Sequence, residues 1–215
     1  MNIKKALTQL FFPDIEKCFF CGDEFQGLLC PRCEEALSPL YLGEQPFSLE
    51  GFPCVCLYGY AGPVRAAIYT MKFDHLPWKA VQLGRLLARL PFPFEEMDAV
   101  TFVPVHPKRR AKRGFDQAEL LARGLGETIC KPVLPTLVKE KNLTPQSRLS
   151  AQERLTHVAG AFSLRPQLSL RGRKLLLVDD VITTGATICE AGAVLAQQGA
   201  QVFCMAAART ISPRE

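Results

Sequence analysis

From residue 54 onward, apolar runs suited to strands alternate with amphipathic stretches suited to helices. CVCLYGY (54–60) reads as a strand, and the stretches around 63–73 and 77–90 read as helices, the second ending before Pro91 and Pro93. AVTFVPV (99–105) is a continuous apolar, β-branched run, the mark of a strand buried on both faces. Over 115–129, Ala118, Leu121, Ala122, Leu125 and Ile129 recur at i, i+3, i+4, i+7 and i+11, one face of a helix. A short strand near 133–138 and a polar stretch around 139–150 follow. KLLLVDD (174–180) is a second buried strand, 187–198 a helix and QVFCMAAA (201–208) a last strand. This alternation predicts an α/β fold with a mostly parallel sheet flanked by helices.

The first 50 residues follow another pattern. MNIKKALTQLFFPDIE carries two lysines and a short apolar stretch that Pro13 interrupts, with no small-residue cleavage site after it. It reads as a short helix rather than a signal peptide, which places the protein in the cytoplasm. Pro39, Gly43, Pro46, Gly51 and Pro53 mark a linker. We therefore divide the chain into an N-terminal module, 1–50, and a main domain, 54–215. At 48% hydrophobic and 22% charged over 215 residues, the chain is globular. No apolar run approaches the roughly 18 residues of a membrane span.

Nine cysteines is a high count. In a reducing compartment it points to metal ligation or burial rather than disulfides. Cys18 and Cys21 form one CxxC pair and Cys30 and Cys33 another, eight residues further on. Two such hairpins complete a tetrahedral four-sulfur site, so a structural Zn²⁺ with no open position is expected. Cys54 and Cys56 alternate along a strand and share a face. Cys130, Cys189 and Cys204 stand singly in apolar surroundings and read as buried free thiols.

Charge is divided unevenly. Residues 1–100 hold 9 Lys/Arg against 12 Asp/Glu, and residues 101–215 hold 17 against 9. A basic half-chain fits a phosphate-rich partner, although a solvated basic face has the same composition.

The densest chemistry lies in LLLVDDVITTGAT (175–187). An apolar strand ends in Asp179 and Asp180, and a Thr-Thr-Gly loop leads into a helix. Loop amides and the helix N-terminus offer donors and a favourable dipole to a phosphate. The hydroxyls of Thr183, Thr184 and Thr187 add donors, and Gly185 lets backbone approach closely. The two carboxylates can accept hydrogen bonds from vicinal hydroxyls or hold a hydrated Mg²⁺. Either half alone is also an ordinary turn with a threonine cap; the ordered combination is much more specific.

VDDVITTGAT (178–187) resembles the phosphoribosyl-diphosphate signature of type I phosphoribosyltransferases. The whole chain resembles the competence protein F (ComF, GntX-like) family. The four-cysteine knuckle supports this, as do VPVHPKRRAKRGFDQ (103–117), and Thr144-Pro-Gln146 with Arg154 and Ala161-Phe162. Asp116 stands where the family often has Asn, and so does His157.

The resemblance implies a type I phosphoribosyltransferase-like domain. Asp179 and Asp180 would be the catalytic contacts to the ribose hydroxyls, and Thr183, Thr184, Gly185, Ala186 and Thr187 would hold the 5-phosphate. The turn after the 99–105 strand would be the diphosphate loop, with Arg109 and Arg113 nearer the site than Lys108, Arg110 and Lys112. Residues 139–154 would form a mobile flap carrying Gln146 and Arg154. Lys72 is a further candidate for a phosphate contact, and equally a surface helix lysine. Two functions compete. One is an Mg²⁺-dependent transferase acting on phosphoribosyl diphosphate. The other is a protein of DNA uptake that binds single-stranded DNA, or other uptake proteins, with a regulatory or vestigial nucleotide site. Tyr and Trp are scarce, four and one, so a base-stacking platform is not evident.

Overall fold

The computed structural model describes residues 17–74, 76–140, 160–166 and 168–211. The expected N-terminal helix, the flap candidates Gln146 and Arg154, and His157 lie outside them. In chain order the elements are α1 (Pro31–Leu37), β1 (Phe47–Leu49), β2 (Phe52–Gly59), α2 (Gly62–Phe73), α3 (Pro77–Leu87), β3 (Ala99–Phe102), α4 (Pro107–Arg113), α5 (Gln117–Thr128), β4 (Leu137–Lys139), β5 (Phe162–Leu164), β6 (Lys174–Ile182), α6 (Ala186–Gln197) and β7 (Gln201–Arg209).

Five strands form one sheet in the order β1-β2-β7-β6-β3. β2, β7, β6 and β3 run parallel, and β1 closes the edge antiparallel to β2. Strand alternation gives each face its own core. Val100, Leu176, Val178 and Met205 bury one face beneath α2, α3 and α5. Ala99, Leu175, Leu177, Cys56 and Cys204 bury the other, where α6 packs with Ile188, Ala191 and Leu195. β4 and β5 pair antiparallel as a separate ribbon. Its Leu137 and Phe162 pack on that second face.

Several boundaries differ from the sequence pattern for physical reasons. The stretch containing Gly43, Pro46 and Gly51 is not only linker, because Phe47–Leu49 pairs with β2. Glu50 and Gly51 both adopt positive φ, 47° and 88°, the backbone of a tight two-residue hairpin turn. β3 stops at Phe102, before Pro104 removes a backbone donor. The single helix expected over 115–129 is preceded by a second, α4, with Pro107 in its first turn and Gly114 at its C-cap, φ 83°. The basic cluster is therefore helical rather than a turn. Cys130 also departs from expectation: it is exposed, with φ 56°, just past the end of α5.

Helices α3 and α5 touch backbone to backbone. A Cβ on Gly84 would lie 2.0 Å from the Leu121 carbonyl oxygen, and one on Gly124 would lie 2.1 Å from that of Val81. Gly84 and Gly124 thus serve helix packing.

The knuckle packs on the same body. Cys18, Phe19, Leu29 and Leu37 belong to the core under α2 and α3. The Phe19 N–H donates to the Leu28 carbonyl at 3.0 Å, and Gln82 of α3 donates to the Lys17 carbonyl at 3.4 Å.

Candidate functional site

β6 runs through the acid pair to Ile182, because Val181 and Ile182 still pair with Ala208 and Arg209 of β7. Asp179 and Asp180 are therefore strand residues and point to opposite faces. Asp180, 4% exposed, turns toward α2, where Lys72 Nζ donates to its Oδ1 at 2.8 Å. Its Oδ2 is buried and accepts no hydrogen bond among the described residues. Asp179 turns toward the second face, and its Oδ1 accepts from the Asp180 N–H at 2.7 Å. Desolvation, followed by the neighbouring Asp180 charge, pushes the Asp179 carboxyl up to about 8; Lys72 and Lys139 pull the other way.

Asp179 lines a small, shallow cleft together with Thr183, Thr184, Gly185 and Thr187. Gly185 is the N-cap of α6 at φ 82°, with no side-chain cap. The left-handed φ is what favours glycine here; a Cβ would also crowd the tip of the Leu49 side chain of β1 at 2.9 Å, which can shift. The Thr184 hydroxyl accepts from the Ala186 N–H at 3.5 Å, at the long limit of a hydrogen bond. The first amides of α6 thus open onto the cleft without a strong internal partner. Ala186 is buried in the helix's first turn.

On α4, the i,i+4 pair Arg109 and Arg113 is half-buried, whereas Lys108, Arg110 and Lys112 are exposed. Arg110 pairs with Glu119 at 3.2 Å. Arg113 donates to Gln117 and lies 5.6 Å from the centroid of the Phe73 ring. Burial lowers its pKa, and Asp180 opposes that shift. Asp116 is a structural tie rather than a ligand contact. Its Oδ1 accepts from the N–H groups of Ala118 and Glu119, capping α5, and its Oδ2 accepts from the Val105 N–H at 2.8 Å. This joins the strand β3 exit to the helix start.

Lys139 went unnoticed in the sequence. At the end of β4 it is half-buried, with Nζ 4.9 Å from the Phe162 centroid. Burial lowers its pKa, and Asp179 is the charge that most opposes this. A lone lysine in a polar stretch carries no pattern that could have found it.

In the knuckle, the sulfurs of Cys18, Cys21, Cys30 and Cys33 all lie within 4.8 Å of one another. Burial raises the Cys18 thiol, but backbone N–H groups at Cys21, Cys30 and Phe20 outweigh it and bring it to about 7. Burial and the three neighbouring sulfurs push Cys33 up to about 12. A divalent ion removes that mutual penalty by binding the thiolates, so the donor set fits a structural metal such as zinc.

A mostly parallel sheet with an acid pair and a Thr-Thr-Gly turn at one strand's end defines a phosphoribosyltransferase-type domain of the type I fold. Residues 111–215 match the family described as phosphoribosyl transferase domain. The chain is 31% identical over 194 residues to competence protein F of Haemophilus influenzae, covering 86% of this chain and 80% of that protein. It is 32% identical over 161 residues to DNA utilization protein YhgH of Escherichia coli (strain K12), covering 70% of each. The chain belongs to the competence protein F family. Among solved structures it is similar to the allosteric regulatory enzyme of purine biosynthesis, with 25% identity and a TM-score of 0.43, over 61% of this chain and 25% of that one. Among the described residues, no helix is long and apolar enough to cross a membrane.

Proposed function

We propose that the cleft at the end of β6 binds phosphoribosyl diphosphate with Mg²⁺ and that the domain transfers the phosphoribosyl group to an acceptor. The observation that carries this reading is one cleft holding both the Asp179 carboxylate and the uncapped start of α6. Together they match the two ends of a sugar phosphate, hydroxyl and phosphoryl. In this reading the α6 amides and the hydroxyls of Thr183, Thr184 and Thr187 hold the 5-phosphate. Asp179 accepts from the ribose hydroxyls in the cleft, and Asp180, on the opposite face of β6, is the second acid we assign to them; its Oδ2 has no partner among the described residues. Mg²⁺, when bound, neutralises the diphosphate. The bond from the anomeric carbon to the diphosphate oxygen breaks, and the leaving group takes the electron pair. The acceptor's lone pair forms the new bond and its proton is lost. Arg109 and Arg113 face the negative charge that develops on the leaving group, and Lys72 and Lys139 flank the acids.

Calorimetric titration with phosphoribosyl diphosphate, with and without Mg²⁺, tests the reading. Micromolar affinity that requires Mg²⁺ and is lost in Asp179→Asn/Asp180→Asn is expected. Equal affinity in the double variant rejects the site.

A specific surface feature supports a second role, in DNA uptake with single-stranded DNA as ligand and other uptake proteins as partners. Tyr69 and Phe73, 58% and 53% exposed, lie side by side on α2 with ring centroids 4.5 Å apart and planes tilted by 39°, with Arg113 beside Phe73. An exposed aromatic pair beside a basic helix is the usual platform for unpaired bases. The salt dependence of single-stranded DNA binding should flatten when Arg109, Arg110 and Arg113 become Ala, and affinity should drop in Tyr69→Ala. An unaltered slope moves the nucleic-acid surface elsewhere. The cytoplasm is the compartment that fits both roles and a reduced four-thiol centre.

A further inference from the structure

Lys79 is a buried cation with no ion-paired carboxylate among the described residues. Only 8% exposed, it lies in the first turn of α3. Its Nζ stands 5.8 Å from the centroid of Phe19 and 5.7 Å from that of Trp78, and it donates to the Thr70 hydroxyl at 3.4 Å. Aromatic faces and one long hydrogen bond are poor compensation for an ammonium withdrawn from water. A buried charge normally has an opposite charge beside it. Phe19 lies inside the Cys18–Cys21 hairpin, so the Lys79 ammonium stands against the inner side of the knuckle; burial lowers its pKa, opposed first by Asp74 and then by Cys18 and Cys21.

We propose that Lys79 is the inner counter-ion of the metal centre formed by Cys18, Cys21, Cys30 and Cys33. This rests on reading the four cysteines as a metal site. Four thiolates around one divalent ion leave two negative charges. Lys79 meets them from the protein side. Arg32, exposed beside Cys21 and paired with Asp23 at 2.6 Å, meets them from the solvent side. Outer partners of this kind strengthen ligand sets. The ion and its thiolates then supply the negative charge that no ion pair among the described residues gives Lys79. The same residue ties the knuckle to the main domain. Lys79 bonds Thr70 of α2, two residues before Lys72; Gln82 of its helix α3 bonds the Lys17 carbonyl, and Arg89, just past the end of α3, bonds Glu34 at 3.1 Å.

The test is zinc affinity of the full chain, measured by competition with a chromogenic chelator. Lys79→Met, which keeps the length of the side chain and removes the charge, should release zinc about tenfold more readily. Lys79→Arg should retain near wild-type affinity, a rescue that a purely packing role does not predict. Arg32→Ala should lose less, and its loss should shrink at high salt, because that charge is exposed and screened. If Lys79→Met does not fold, Lys79→Gln, which keeps a donor for Thr70, carries the same expectation. Wild-type zinc affinity in a folded Met or Gln variant overturns the proposal. A wild-type protein that binds no zinc overturns the metal reading beneath it as well.

Discussion

Lys72 Nζ donates to Asp180 Oδ1 at 2.8 Å, joining helix α2 to strand β6 across 108 residues of chain. The contact follows from the packing of α2. Val64, Ala67, Ile68 and Met71 bury one stripe of the helix. Lys72, one step beyond Met71, is carried to the edge of that stripe, where the strand presents its acid.

Removing one member of this pair leaves the other charge largely out of water. Lys72→Met should destabilise the protein by about 1–3 kcal/mol, below the figure for a fully buried pair because the lysine is partly exposed. Lys72→Met/Asp180→Asn should recover most of that loss in urea unfolding at pH 7. A double variant no more stable than the single one would show that the ion pair is not the cause.

Asp179 sets a pH dependence of opposite sign to that of an ordinary surface carboxylate. Its carboxyl is raised from 3.8 to about 8 in the folded chain. The native state therefore binds more protons than the unfolded state between those values, and stability should fall as pH rises from about 4 to about 8. Thermal unfolding of wild type against Asp179→Asn at pH 5, 6, 7 and 8 checks this. The variant should show a flatter profile and the higher melting temperature at pH 8, by a few degrees for each kcal/mol recovered.

Asp116 uses both carboxylate oxygens against backbone N–H groups. Asn offers one acceptor, so Asp116→Asn can keep the helix cap or the tie to Val105 but not both. A loss of about 1–2 kcal/mol is expected. Equilibrium unfolding measures it, and a variant as stable as wild type would show that the tie to Val105 contributes nothing.

Gly84 and Gly124 hold α3 and α5 at backbone contact. Gly84→Ala should cost about 2–3 kcal/mol although alanine favours helix, because the added methyl meets a carbonyl that cannot yield without parting the helices. Urea unfolding with far-UV dichroism separates the two effects: helix content should persist while the midpoint falls. An unchanged or raised midpoint would contradict the close approach.

Much of the architecture is legible in residue order alone, and so is the material of the site. Leu175 to Val178 declare a strand buried on both faces, and Ala118, Leu121 and Leu125 declare a helix stripe. The two CxxC pairs announce a knuckle whose four sulfurs do converge. Helix α4 was missed because a short surface helix of like charges has no apolar stripe. Its only signals are Pro107 near the start and Gly114 just past the end. Strand β1, three residues long, is too short for alternation to register.

Local order along the chain determined the alternation of elements, the four-thiol cluster and the acid–threonine–glycine turn, because each depends on residues within a few positions of one another. Tertiary structure alone decided that Lys72 reaches Asp180, that Lys139 stands near Asp179, that Asp116 holds a loop and that Lys79 lies over the Phe19 ring. Those relationships join residues from 11 to 108 positions apart. They depend on which faces of helices and strands are pressed together, and no local pattern encodes that distance.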